Sequence, residues 1–395
     1  MKILLKNAVI YTMNADSDII HDGFIIIDGD KISEVGKGMP EGVFDSVIDL
    51  DGAPVLPGFV DAHSHIGLIG DGLGFEADDL NEITDPILPH LMAIDAVNPL
   101  DRCFKEAYSA GVTTVATGPG SANAIGGSFI AMKTYGRRAD DMVMANPAAI
   151  KMALGENPKC CYHPKESAPE TRMSTSALIR EQLSKAQRYL EALDKYESAE
   201  DKDELEKPEF DAKCEALLPL LRGQVPAHIH AHRADDIFTA IRLSKTFGFK
   251  YKLVHCTEGH MVADILAKEG CEVFAGPVIG DRSKPELVNS TPQNAAILSK
   301  NGVKVAIITD HPEVVSQYLL LSADIACHCG MDFMESLRAI TINPAQMLGL
   351  DDRIGSLEAG KDADLVIFGK EIAYHDVQRV MINGVFVDIE TPYKK

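Results

Sequence analysis

The sequence predicts an α/β fold: a (β/α)8 TIM barrel joined to a small β-sandwich domain formed from both chain termini. Three observations predict it. Both ends of the chain are dense in short strand signals, the middle alternates apolar strands with helices ending in glycine, and ligand-type side chains stand where the predicted strands stop. Alternation of this kind builds a parallel sheet covered by helices, and 395 residues suit a barrel of eight such units. The expected division is residues 1–55 and 350–395 for the small domain and 56–349 for the barrel, with a helical insertion at about 174–223.

The strings "KILLKNAVIYT", "DGFIIIDGDKISEVG" and "SVIDLDGAPVLPG" open the chain as short strands, with Asp-Gly pairs supplying the turns. The same style returns in "GKDADLVIFGK" and "VQRVMINGVFVD", where Asn-Gly joins two apolar runs as a hairpin. Between them, "PGFVDAHSHIG" is a strand whose His63 and His65 share one face, because side chains two apart along a strand point the same way. "GVTTVATGPG" and "MVMANPAAIKMALG" follow as strands, the second carrying Lys151 and ending at Gly155.

From Ser174 to about Gly223 the rhythm breaks. Ile179, Leu183, Ala186, Leu190 and Leu193 recur at three- and four-residue spacing before the charge run "ESAEDKDELEK". This predicts two helices joined by an exposed acidic turn. Then "VPAHIHAH" supplies His228, His230 and His232, the strand "YKLVHC" holds His255 near its end, and "VKVAIITD" ends in Asp310, with predicted helices between.

Composition narrows the function. A net charge of -21 argues against a nucleic-acid partner, since binding a polyanion relies on Lys and Arg. No apolar run approaches the ~18 residues of a membrane span, and Lys6 and Asn7 interrupt the N-terminal run before a signal-peptide core forms. Eight cysteines, without paired CxxC knuckles, read as reduced thiols in a cytoplasmic protein.

In a parallel barrel the site lies at the C-terminal ends of the strands, where His63, His65, Lys151, the HIHAH histidines, His255 and Asp310 all fall. Each alone could be a hydrogen-bonded polar residue; together, imidazoles and a carboxylate suit zinc or a similar divalent ion with an open position for water.

"GFVDAHSH", the ordered series Lys151, His230, His255, Asp310, and "TINPAQMLGLDDRIGSLEAGKDADLVIF" resemble the metal-dependent amidohydrolase superfamily over nearly the whole chain, especially imidazolonepropionase-like amidohydrolases and Xaa-Pro dipeptidases. The resemblance implies that His63 and His65 hold the more buried metal, that His230 and His255 are the fifth- and sixth-strand ligands, and that Asp310 is both ligand and catalytic acid–base. Among His228, His230 and His232 the choice stays open. His230 is preferred by its spacing to the next helix, with His232 the runner-up ligand and otherwise assigned to substrate binding or to orienting a neighbour. Lys151 resembles the fourth-strand lysine that becomes a carbamate in the binuclear branch; otherwise it is a surface or substrate-binding lysine and the site holds one metal. Zinc is expected, although manganese, iron and cobalt suit the same ligands.

The implied activity is hydrolysis of an amide or cyclic amide C–N bond, as in a dipeptide or an N-acyl amino acid, with deamination of a ring amidine as the alternative. Several strings, "GSANAIGGSFIAMKTYG" among them, resemble members without a defined substrate, so imidazolonepropionase chemistry is not carried over. A catalytically silent barrel would require an incomplete ligand set. Arg172, in "TRMSTSALIRE", is expected to lie over the pocket and bind a substrate acid group; the competing role is a structural salt bridge. A small-molecule substrate, a homo-oligomeric state, and neither a nucleic-acid nor a membrane partner complete the expectation.

Overall fold

A computed structural model describes residues 1–16, 18–70, 74–201 and 205–389. Two eight-stranded sheets organise them. The barrel sheet runs in chain order through Phe59–Ser64, Val112–Thr117, Ile125–Lys133, Val143–Ala153, Ala227–Ala231, Tyr251–His255, Glu272–Ala275 and Lys304–Ile307. Nearly all of these strands are buried along most of their length, which is why they read as apolar runs and not as alternating ones.

The barrel departs from strict βα alternation at its third strand. Ile125–Lys133 pairs antiparallel with both neighbours, whereas the remaining ladders are parallel. The cause is connection length: residues 118–124 are too few for the crossover of a dozen or more that a parallel pair needs. The first and eighth strands meet through side chain and turn. Thr309 Oγ1 donates to buried Asp61 Oδ2 at 2.5 Å, and the Asp310 N–H donates to the His63 carbonyl at 3.2 Å.

The small sheet draws on both ends of the chain. Pro54–Pro57 pairs with Lys2–Tyr11 on one side and with Leu365–Phe368 on the other. Ser46–Asp49 takes the first half of Lys2–Tyr11, so the sheet branches there. Ile3, Leu5, Ile25, Ile27, Val55, Leu365, Ile367 and Met381 form its apolar interior. Its contact with the barrel includes a buried ion cluster. Lys133, from the third barrel strand, pairs with Asp364 and, at 2.9 Å, with Asp362.

The insertion is one long helix, Arg172–Glu197, followed by two short ones, Ala212–Glu215 and Leu218–Leu221. The Thr171 side chain caps its start by accepting the Ser174 N–H at 3.1 Å. Ile179, Leu183, Ala186 and Leu193 are buried as the periodicity predicts, and Leu190 is half-buried. Residues 202–204 of the acidic run lie outside the described residues. Among the described residues no helix is long and apolar enough to cross a membrane.

Candidate metal centre

The two-residue period of the first barrel strand places Asp61, His63 and His65 on one buried face. His63 stacks on Phe129, with ring centroids 4.7 Å apart. His65 Nδ1 lies 2.6 Å from the Gly118 carbonyl. A carbonyl only accepts, so this nitrogen carries the proton and Nε2 keeps its lone pair. That lone pair faces Asp310 Oδ1 at 3.2 Å, and Oδ1 has no hydrogen-bond partner. Two acceptors this close suit a cation between them, a proton or a metal ion.

A second cluster stands beside the first. Ligand atoms of His230, His232 and His255 lie within 4.8 Å of one another, as do those of His63, His65 and Asp310. Each ring of the second cluster is oriented through Nδ1: His230 by Ser121 Oγ at 2.9 Å, His232 by Thr257 Oγ1 at 2.6 Å and His255 by the Gly276 carbonyl at 2.8 Å. Tying the outer nitrogen to fix the inner one is how metal-binding imidazoles are held. Burial pushes the pKa of His63, His230, His232 and His255 down, so these rings are uncharged near neutrality and able to donate lone pairs.

Lys151 is fully buried, with Nζ 2.9 Å from His63 Nε2. Burial brings its amine down to about 8. Burial alone would raise the Asp310 carboxyl, but positive charge on His255 and His65 when these rings are protonated, together with the Lys151 ammonium, outweighs it and holds the carboxyl below the usual carboxylate range. His255 and Asp310 both adopt left-handed backbone, with φ of 70° and 54°. Such residues cost about 1–3 kcal/mol each and collect at functional sites. The unpartnered atoms, uncharged imidazoles and lone-pair-to-lone-pair spacing together fit divalent cations.

The HIHAH histidines separate in space. His230 and His232 face the second cluster, whereas His228 turns toward His63, with their Nδ1 atoms 3.4 Å apart, and packs against Phe274. A cavity of about 490 Å³ opens over the clusters, lined by His65, His230, His232, His255 and Asp310.

Arg172 does not reach it. Its Nε donates to Asp236 Oδ2 at 2.9 Å, no residue of the Arg172–Glu197 helix lines the cavity, and the expected substrate contact is corrected to a structural ion pair. The apolar stripe of that helix is covered by its neighbours, the 156–162, 212–215 and 234–247 helices, which removes the reason for it to lie across the pocket. The single Lys or Arg among the described lining residues is Lys284, whose Nζ donates to Asn157 Oδ1 at 3.2 Å.

Sequence reasoning missed Lys284 and, more notably, Glu286. Both lie in the loop after the seventh barrel strand, in "RSKPELVNS", a string with no periodicity and no histidine. Glu286 is 1% exposed, with Oε1 lacking any hydrogen bond, and burial raises its carboxyl to about 7.

The profile of the Amidohydrolase family matches residues 55–387. Amidohydrolase tasK of Hapsidospora irregularis is 31% identical over 372 residues, which is 88% of this chain; the chain spans only 38% of that relative's length. Imidazolonepropionase of Thermoplasma acidophilum is 26% identical over 379 residues, covering 89% of this chain and 84% of the relative. A solved amidohydrolase from Thermotoga maritima MSB8 superposes with a TM-score of 0.93 at 39% identity, over 98% of this chain and 100% of that one.

Proposed function

The chain belongs to the amidohydrolase family, and from that membership we propose that it hydrolyses an amide or cyclic amide C–N bond in a small molecule bearing an acid group. The observation that carries this reading is the lone pair of His65 Nε2 set 3.2 Å from the unpartnered Oδ1 of Asp310 at the floor of a cavity. His63, His65 and Asp310 would hold one divalent ion and His230, His232 and His255 a second, zinc being the first choice by ligand type. A divalent ion bound there supplies Lewis acidity to a carbonyl and lowers the pKa of water.

The residues of the chain do the rest. Asp310 takes the proton released by the attacking water and returns it to the leaving nitrogen, its carboxylate standing at the cavity floor. Lys151, with an amine already brought down to about 8, is suited to add carbon dioxide with loss of a proton, giving the carbamate of the two-metal reading. Lys284 faces the cavity with no carboxylate partner within 4 Å among the described residues, which favours substrates with a carboxylate, such as dipeptides or N-acyl amino acids. All eight cysteines are free thiols, which supports a reducing, cytoplasmic setting.

A panel of dipeptides, N-acyl amino acids, lactams and hydantoins, assayed before and after removal of metal, tests the reading. Hydrolysis that disappears with chelation and returns with zinc is expected. Turnover unaffected by metal removal would overturn it, and ammonia release confined to ring amidines would move the assignment to a deaminase.

A further inference from the structure

We propose that Glu286 is itself a ligand of the ion held by His230, His232 and His255, giving that site three imidazoles and one carboxylate. The inference rests on the metal reading above. Glu286 sits in the tight turn Pro285–Leu287, beside the Nε2 edges of His230 and His232 and closed off from solvent. Its Oε2 accepts the Glu156 N–H at 3.0 Å. Its Oε1 accepts nothing and lies 3.6 Å from His230 Nε2 and 3.7 Å from His232 Nε2.

Those distances decide between two roles. They exceed the ~2.7–3.2 Å of a hydrogen bond. Two donors sharing one tetrahedral zinc, each at about 2.1 Å, stand about 3.4 Å apart. A carboxylate oxygen without a hydrogen bond, nearly equidistant from two imidazole Nε2 atoms, is spaced for a cation among all three.

The chain also makes room for this carboxylate. Gly155, at φ +82°, closes the fourth barrel strand, and a Cβ there would come within 2.8 Å of Glu286 Oε2 and 3.1 Å of Asp236 Oδ2. Asp236, the nearby like charge, is neutralised by Arg172. The ion pair that keeps Arg172 out of the cavity thereby shields the Glu286 niche. Glu286 approaches this site beside His230 and His232 and would raise its donors from the chain from three to four, the number a tetrahedral ion takes.

The test is metal binding to the full-length protein, stripped and then titrated with cobalt(II), followed by visible absorption, and with zinc against a competing chelator. Wild type should take up two ions. Glu286→Gln should bind one of them at least about tenfold more weakly with an altered cobalt spectrum, and Glu286→Asp should recover part of the loss. Gly155→Ala, which crowds Oε2, should reproduce the defect if Glu286→Gln does not fold. Two ions bound to Glu286→Gln with wild-type affinity and spectrum would overturn the assignment while leaving the proposed hydrolase standing. A wild type that binds no ion would overturn both.

Discussion

In the proposed mechanism Asp310 is the residue on which chemistry and folding separate most cleanly. Asn fills the same space but cannot accept a proton, so Asp310→Asn should lower kcat by roughly two to four powers of ten while leaving thermal melting close to wild type; near-normal turnover would make Asp310 structural. Lys151→Ala should lose activity and one ion by elemental analysis, with partial rescue by a short carboxylic acid; an active variant with unchanged metal would remove the carbamate. Arg172 and Lys284 make a contrasting pair. Arg172→Met unpairs the buried Asp236 and should cost roughly 2 kcal/mol in denaturant unfolding, with equal effects on acidic and neutral substrates. Lys284→Met should raise KM for carboxylate-bearing substrates alone. His63 and His65 were legible because a strand puts alternate residues on one face, and His255 and Asp310 because strand ends are where barrels place their chemistry. Glu286 was not: its approach to His230 depends on a loop path from residue 276 to residue 286 that no local pattern encodes.

Among the elements, the long helix and the third barrel strand were read with opposite success. Three- and four-residue spacing identifies Ile179, Leu183 and Ala186 as one buried stripe, and the helix forms with that stripe inward. Leu183→Ala should therefore cost about 2–5 kcal/mol, the usual range for a fully enclosed leucine, measured as a shift in urea midpoint; a cost under 1 kcal/mol would mean the stripe is loosely covered. The strand Ile125–Lys133 carries Gly126, Gly127 and Ser128 and is buried on both faces. It offers neither strong strand propensity nor alternation. What identifies it is tertiary: the short link before it obliges the chain to turn back along its neighbour.

At the scale of the molecule, barrel and small sheet are tied by Lys133, which is almost fully buried between Asp362 and Asp364, with Lys31 and Arg353 also on Asp362. Lys133→Met would leave two buried carboxylates short of their partner and should cost about 3–5 kcal/mol. Burial raises the Asp362 carboxyl, but Lys133, Lys31 and Arg353 more than offset it, so its folded pKa lies below the unfolded value. The stabilisation is therefore complete above about pH 4 and disappears as the pH falls through the folded value. Urea unfolding at stepped pH should show this loss in the wild type and a flatter acid limb in Lys133→Met. The meeting of the first and eighth barrel strands has a consequence in time. Asp61 and His63 are made early on the ribosome, Thr309 and Asp310 some 250 residues later, and the first strand of the ring waits for the last. Until then each nascent chain carries only part of the proposed cage, so an ion held by His63, His65 and Asp310 would be acquired only after the last barrel strand is made.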